Sequence, residues 1–181
     1  MDLSNEGIRI YGTNTVMTQH ALRSCGYLRS ALHGASLTEI VSALIGRIEA
    51  EKLDFDAIAV RGTSGLLVGP MIAAMMNKSL VVVRKPNDGS HSGYEVEGAS
   101  VASSAHSEPL RYIIVDDLVC SGSTVQTIVN GVMQHNEGRA LCVAMFTYAQ
   151  QNNGPIYGFR YPFPIVDLVM SRLEARKEHT N

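Results

Sequence analysis

Tyr112-Ile113-Ile114-Val115-Asp116-Asp117-Leu118-Val119-Cys120-Ser121-Gly122-Ser123-Thr124 is the stretch on which the reading of this chain turns. Leu110 to Val115 is apolar and rich in β-branched residues, which predicts a buried strand. That strand delivers two adjacent carboxylates, Asp116 and Asp117, to a sheet edge. The turn after it carries Ser121, Gly122, Ser123 and Thr124 and opens a helix running to about Gln134. A helix N-terminus presents free backbone amides and roughly half a positive charge, so it suits an anion. Gly122 lets the backbone come close to that anion. Acceptors for hydroxyls or a divalent cation thus stand beside a phosphate cradle, and a sugar phosphate has groups for both. Taken singly, Ser121 or Thr124 reads as a helix cap and an Asp pair as a turn; the signal lies in the whole string.

Working outward, apolar strands alternate with helices. Asp56 to Val60 is a short buried strand, broken by Arg61-Gly62-Thr63-Ser64-Gly65. A helix is expected from about Ser64 or Gly65 to Asn77, with Gly69-Pro70 delaying its start. Ser79 to Arg84 is another strand, Ala140 to Thr147 a further one, and Ile165 to Val169 a last one. Pro86 to Gly98 reads as a polar, glycine-containing loop without apolar periodicity. Upstream, Ser36-Leu37-Thr38-Glu39 has the form of a capping box. Ile40, Val41, Leu44, Ile45 and Ile48 then recur on one helical face. This pattern predicts an α/β fold, a central mostly parallel sheet flanked by helices. In such folds ligands bind at the carboxyl ends of the strands. Arg61, Arg84-Lys85 and Asp116-Asp117 all fall there.

The chain has 181 residues, which suits a single domain over 1–181. Charged residues are 18% against an ordinary figure of about 25%, which argues against disorder. Lys and Arg number 15, Asp and Glu 17, for a net charge of −2. A generic nucleic-acid-binding surface usually shows a basic excess, so no nucleic acid partner is expected and any anion site must be built locally. Cys25, Cys120 and Cys142 form no CxxC pair and read as thiols in a reducing compartment. No apolar run approaches the 18 residues of a bilayer span, and Met1 to Glu6 has no basic or apolar leader character, so a cytoplasmic protein without a membrane partner is expected.

The thirteen-residue string closely resembles the phosphoribosyl-pyrophosphate motif of type I phosphoribosyltransferases, and the resemblance extends from roughly Asp56 to Thr147. It departs at Cys120, where that family commonly has Thr, Ala, Ser, Val or Asp. The resemblance implies that Asp116 and Asp117 hold the ribose 2- and 3-hydroxyls, directly or through Mg²⁺. It implies that Cys120, Ser121, Gly122, Ser123 and Thr124 wrap the 5-phosphate, mostly with backbone amides. Ala59-Val60-Arg61-Gly62-Thr63-Ser64-Gly65 looks like the family's pyrophosphate loop, making Val60, Arg61, Gly62 and Thr63 donor-binding residues; a guanidinium can fork onto two phosphate oxygens. Arg84-Lys85-Pro86 resembles the start of the catalytic loop in adenine phosphoribosyltransferases, which makes Arg84 and Lys85 catalytic along with the two aspartates. His91, Gly93, Glu97 and Gly98 are more faintly similar to the loop of the orotate enzymes, which carries a further Lys where this chain has Asn87 and Asp88. His91 on its own reads as a loop histidine in water. Glu95 and Glu97 read as a solvated acidic loop, the other reading being protonation of a purine nitrogen.

The activity that the resemblance implies is transfer of 5-phosphoribosyl from phosphoribosyl pyrophosphate to a nucleobase, adenine first, with Mg²⁺ as cofactor. Orotate as the base, or a non-catalytic regulator that senses the donor, are the alternatives. A homodimer is implied, as is a small hood over the base from about 1–35 and 150–170. Tyr157-Gly158-Phe159-Arg160-Tyr161-Pro162-Phe163-Pro164 would then clamp the base by stacking, or else serve core packing or an oligomer contact. A P-loop hydrolase is excluded, since no GxxxxGK[ST] string occurs.

Overall fold

The core has two layers, and the period-2 alternation of the strands assigns residues to them. In the strand Ala57–Arg61, Ile58 and Val60 face one layer while Ala57 and Ala59 face the other. All four side chains are fully buried, as expected of a strand covered on both faces. The computed structural model describes residues 8–9, 16–17, 34–86, 93–100, 108–119, 121–149 and 161–168, the first two pairs as backbone only. The elements in chain order are β1 (Ile8–Arg9), β2 (Val16–Met17), α1 (Gly34–Ala50), β3 (Ala57–Arg61), α2 (Gly62–Met75), β4 (Ser79–Val83), β5 (Val96–Gly98), β6 (Leu110–Asp116), α3 (Ser123–His135), β7 (Ala140–Thr147) and β8 (Ile165–Asp167).

β1 and β2 form a separate antiparallel pair. The central sheet has the order β5-β4-β3-β6-β7-β8, parallel throughout except for the antiparallel edge strand β5. Ile40, Val41, Leu44 and Ile48 of α1 and Val68, Ile72 and Ala73 of α2 fill one layer. Val125, Ile128 and Val132 of α3 fill the other. The chain leaves β3 toward β4 on one side and leaves β6 toward β7 on the opposite side. A crevice therefore opens between the carboxyl ends of β3 and β6, where this class of sheet takes its ligands.

Several boundaries differ from the sequence reading. α1 begins at Gly34, so Ser36 lies inside its first turn rather than capping it, and the Thr38 hydroxyl donates to the Gly34 carbonyl at 3.0 Å. α2 begins at Gly62 and ends at Met75, with Pro70 in its interior. Gly69 does not delay this helix. A Cβ there would stand 2.3 Å from Val60 Cγ1, and one at Gly65 would stand 3.0 Å from Val60 Cβ. The two glycines are what let α2 lie against β3. The Pro86 to Gly98 stretch contains β5, whose Val96 is buried. Gly98, at φ +116°, ends that strand against the Leu80 carbonyl, where a Cβ would meet the oxygen at 2.0 Å. Opposite Tyr112 and Ile113 the register jumps from Cys142 to Ala144. Val143 is the extra residue of a bulge, so Val143 and Ala144 both turn to the α1/α2 layer. Of the two stretches expected to form a hood, Ile165–Asp167 pairs with β7 in the central sheet. Most of the remainder lies outside the described residues, as do Cys120, His91, Tyr157, Phe159 and Arg160. No helix among the described residues is long and apolar enough to cross a membrane.

Candidate active site

β6 ends at Asp116, and the sheet carries both carboxylates of the acidic pair into the crevice with little exposure, 4% for Asp116 and 6% for Asp117. Two buried like charges demand local compensation, and the chain supplies some of it. The Ser64 hydroxyl, in the first turn of α2, donates to Asp116 Oδ1 at 2.7 Å, and the Asp117 amide donates to the same oxygen at 2.9 Å. The Leu118 amide donates to Asp117 Oδ1 at 2.8 Å. Ser64 is itself braced, since its carbonyl accepts from the Tyr148 hydroxyl at 2.9 Å. The Asp117 carbonyl accepts from the Ala149 amide at 2.7 Å, which ties the acid turn to the chain beyond β7.

Compensation is incomplete. Burial raises the Asp116 carboxyl to about 7, and the neighbouring Asp117 charge adds to the rise, while the hydrogen bonds from Ser64 and the Asp117 amide oppose it. A cation or a set of hydroxyls beside the pair would remove this penalty. The Ser64 hydroxyl and two backbone amides supply the donors to Oδ1 of the two carboxylates. Hard oxygen ligands of this kind suit Mg²⁺, which is usually held by one or two carboxylates with the rest of its shell from water and substrate phosphates. The described residues bring together no group of three or more His, Cys, Asp or Glu able to hold a metal by themselves. The residues present therefore fit a Mg²⁺ that shares its shell with a substrate, and do not fit a closed protein cage.

Across the turn, Gly122 takes a left-handed conformation, φ 79° and ψ −5°, and α3 starts at the next residue. That conformation favours glycine, so an L side chain here would be strained. The Gly122 carbonyl accepts from Gln126 N at 2.9 Å, the first bond of the helix, and from the Tyr161 hydroxyl at 3.1 Å. The Ser121 and Ser123 hydroxyls are 2.9 Å apart. The α3 amides ahead of the first intrahelical bonds make the kind of helix start that takes an anion, and the Ser123 amide meets only Ser121 Oγ, at 3.4 Å, among the described residues.

One cavity of about 360 Å³ joins these parts. Arg61, Ser64 and Lys85 line one side, and Asp116, Asp117, Ser121, Gly122 and Thr124 the other, with Leu118, Val119 and Val125 as apolar wall. The Arg61 Nε is buried and meets no acceptor among the described residues. A buried guanidinium nitrogen without an acceptor is what an anionic ligand would satisfy. Lys85 arrives over Gly62, which has φ +67°; a Cβ there would stand 2.6 Å from Lys85 Cε. A second cavity of about 270 Å³ shares Arg61 and Lys85 with the first and also includes Arg84, Glu95, Thr127, Asn130 and Gln134.

Of the residues expected from sequence, the structure brings Arg61, Lys85, Asp116, Asp117, Ser121, Gly122 and Thr124 into one cavity. It places Arg84 in the neighbouring one, where its Nη2 bonds both Glu97 oxygens at 3.0 Å. Val60 is wholly buried with its side chain under α2, and the exposed Thr63 and Ser123 side chains do not line either cavity. Glu97 is not solvated but half-buried in its ion pair with Arg84. The sequence alone gives no site role to Ser64 or Tyr148, and places Tyr161 only within the aromatic run, as a base clamp, core packing or an oligomer contact. Ser64 stands in the turn after β3, but only the fold shows that the first turn of α2 reaches Asp116. In the aromatic run, Tyr161 stacks on Phe163 with ring centroids 5.3 Å apart, and Phe163 is core, so this end of the run packs.

The six-stranded, mostly parallel sheet with helices on both faces and its switch point between β3 and β6 has the type I phosphoribosyltransferase fold. Solved structures agree on the architecture. An orotate phosphoribosyltransferase from Francisella tularensis superposes with a TM-score of 0.59 at 14% identity, covering 81% of this chain and 73% of that one. An adenine phosphoribosyltransferase from Thermoanaerobacter pseudethanolicus gives 0.57 at 18% identity, covering 78% and 84%. By sequence the chain is similar to adenine phosphoribosyltransferases: that of Ureaplasma parvum is 36% identical over 93 residues, 47% of this chain and 54% of that protein. The chain thus spans about half the length of the curated relatives it matches. No protein-family profile matches it.

Proposed function

We propose that this chain transfers 5-phosphoribosyl from phosphoribosyl pyrophosphate to a nucleobase, adenine first, releasing pyrophosphate, with Mg²⁺ as cofactor. The observation that carries the reading is the single cavity in which Arg61 and Lys85 face Asp116, Asp117 and the Gly122 turn. The donor has matching ends. Its 5-phosphate goes to the Ser121–Thr124 turn, its ribose hydroxyls to the carboxylates, and its pyrophosphate to the cations. Asp116 and Asp117 would hold Mg²⁺, which when bound neutralises charge on the departing pyrophosphate. Arg61 offers a fork of charge-assisted donors and Lys85 a point charge to the same group. The ribose acquires positive charge as its bond to pyrophosphate breaks, and the Asp116–Asp117 pair, once ionised, stabilises that charge. Holding two reactants in line contributes roughly 7–11 kcal/mol in well-oriented systems. Leu118, Val119 and Val125 form an apolar wall, and water excluded from it by a bound donor would strengthen these interactions.

A second copy of the chain belongs to the same reading. α2 has no charged residue and exposes Leu66 on one flank and Met71 and Met75 on the other, and this uncharged apolar surface supports a homodimer. The deciding experiment incubates the full chain with labelled phosphoribosyl pyrophosphate, Mg²⁺ and a panel of purines, pyrimidines and orotate, and follows pyrophosphate release. Release with adenine above all other bases is expected. Release with orotate alone would move the base assignment, and donor binding without release for any base would make the chain a sensor.

A further inference from the structure

We propose that Tyr161 is a positioning residue of the donor site, its hydroxyl holding the turn that receives the 5-phosphate in its binding orientation. The inference rests on the donor-binding reading and adds to it a residue from beyond β7, outside the motif.

The Tyr161 hydroxyl donates to the Gly122 carbonyl at 3.1 Å across 39 residues of chain. A trans peptide is planar, with its N–H pointing opposite to its C=O. Fixing the Gly122 carbonyl therefore fixes the Ser123 N–H, an amide of the α3 N-terminus. The same carbonyl also accepts from Gln126 N at 2.9 Å, so Tyr161 is a second restraint, and it comes from outside the helix on a residue whose left-handed backbone has no Cβ to stiffen it. Among the described residues the Ser123 amide meets a long contact, 3.4 Å to Ser121 Oγ, which a phosphate oxygen can displace. The Tyr161 ring is held from the far side by stacking on Phe163, whose side chain is buried in the α3 layer. The sheet beyond is also tied in, for the Pro164 carbonyl accepts from Met145 N at 2.9 Å. Burial raises the Tyr161 phenol above its ordinary value, so the hydroxyl stays a donor across the physiological range. The turn is thus oriented by a tyrosine whose ring is stacked on a core phenylalanine.

Tyr161→Phe removes the hydroxyl and keeps the ring on Phe163. Affinities for ribose 5-phosphate and for inorganic pyrophosphate are measured by calorimetry on the full chain, beside steady-state kinetics. The affinity for ribose 5-phosphate is expected to fall roughly three- to tenfold, the weight of one hydrogen bond, and KM for the donor to rise in step. Affinity for pyrophosphate, KM for the base and kcat at saturating donor stay within twofold. A general loosening of the fold would weaken both ligands alike, and that outcome overturns the proposal, as does unchanged affinity for ribose 5-phosphate. Tyr161→Ala is the second variant: loss there with parental affinity in the Phe variant assigns the effect to the ring and overturns the role of the hydroxyl. If the unaltered chain binds pyrophosphate but not ribose 5-phosphate, this inference and the phosphate end of the donor reading fall together. If it binds both and Tyr161→Phe changes neither, the inference alone falls.

Discussion

Asp116 and Asp117 are neighbours in sequence with different surroundings. Asp116 takes both the Ser64 hydroxyl and the Asp117 amide, while Asp117 takes the Leu118 amide. Asp117→Asn is expected to lower turnover at least tenfold while Tm shifts by only a few degrees, because the substitution keeps shape and removes charge that a bound ribose or cation would meet. Unchanged turnover at saturating substrates would count against the assignment. Asp116 allows a test on stability alone. Its folded value of about 7 lies above the ordinary value of 3.8, so the folded state retains a proton that the unfolded state has lost. Without ligand, the stability due to this group is greatest in acid, declines as pH rises from about 4 to about 7, and is level above that. An asparagine in its place would accept the same two hydrogen bonds without a charge. The Tm of Asp116→Asn minus that of the parent should therefore grow by several degrees between pH 4 and pH 7, read by calorimetry in a metal-free buffer; a flat difference would contradict the burial argument. The acid pair and its turn were legible because every residue they need is local. Ser64 was not, because its reach to Asp116 spans 52 residues and exists only once β3 and β6 are neighbours.

At the scale of elements, the approach of α2 to β3 sets where Arg61 emerges. Gly69 and Gly65 stand over Val60, the residue just before Arg61. Gly69→Ala forces a methyl against Val60 Cγ1, and overpacking of this kind costs about 1–3 kcal/mol. In a chain of this size that lowers Tm by roughly 2–4 °C per kcal/mol. Val60→Ala in the same chain removes the opposing methyls, so the double variant should be more stable than the sum of the two single effects. Strict additivity in thermal melts would show that the helix simply moves aside. Continuous apolar, β-branched runs made β3, β4 and β6 readable to within a residue or two, and β7 from its first residue to its last. Gly69-Pro70 misled because a glycine that permits close packing has the same letter as one that interrupts a helix. β5 escaped notice because it has three residues and only Val96 is buried, and its strand character comes from pairing with β4 rather than from its own pattern.

For the molecule as a whole, the cavity sits between two halves of one sheet. Arg61 and Lys85 belong to the β3–β4 side with α2, and the acid pair and phosphate turn to the β6–β7 side with α3. The sequence carried both halves as separate motifs, and a parallel sheet with its switch point between β3 and β6 is what turns them into one site. A ligand that grips both sides binds the folded chain and not the unfolded one, so it must stabilise the fold. At about one hundred times its dissociation constant, such a ligand adds about 2.7 kcal/mol. That corresponds to a rise in Tm of roughly 5–11 °C at 2–4 °C per kcal/mol. Phosphoribosyl pyrophosphate with Mg²⁺ should produce this rise, and either component alone at the same concentration a smaller one. The rise should be larger at about pH 8 than at about pH 6, because a proton on Asp116 competes with the cation and at the lower pH the carboxyl still holds that proton. Asp117→Asn should lose most of the rise, since the half-site for ribose and cation is gone while the pyrophosphate contacts remain. An equal shift in parent and variant would mean that the donor is held by the cation wall alone, and the two halves would then not act as one site.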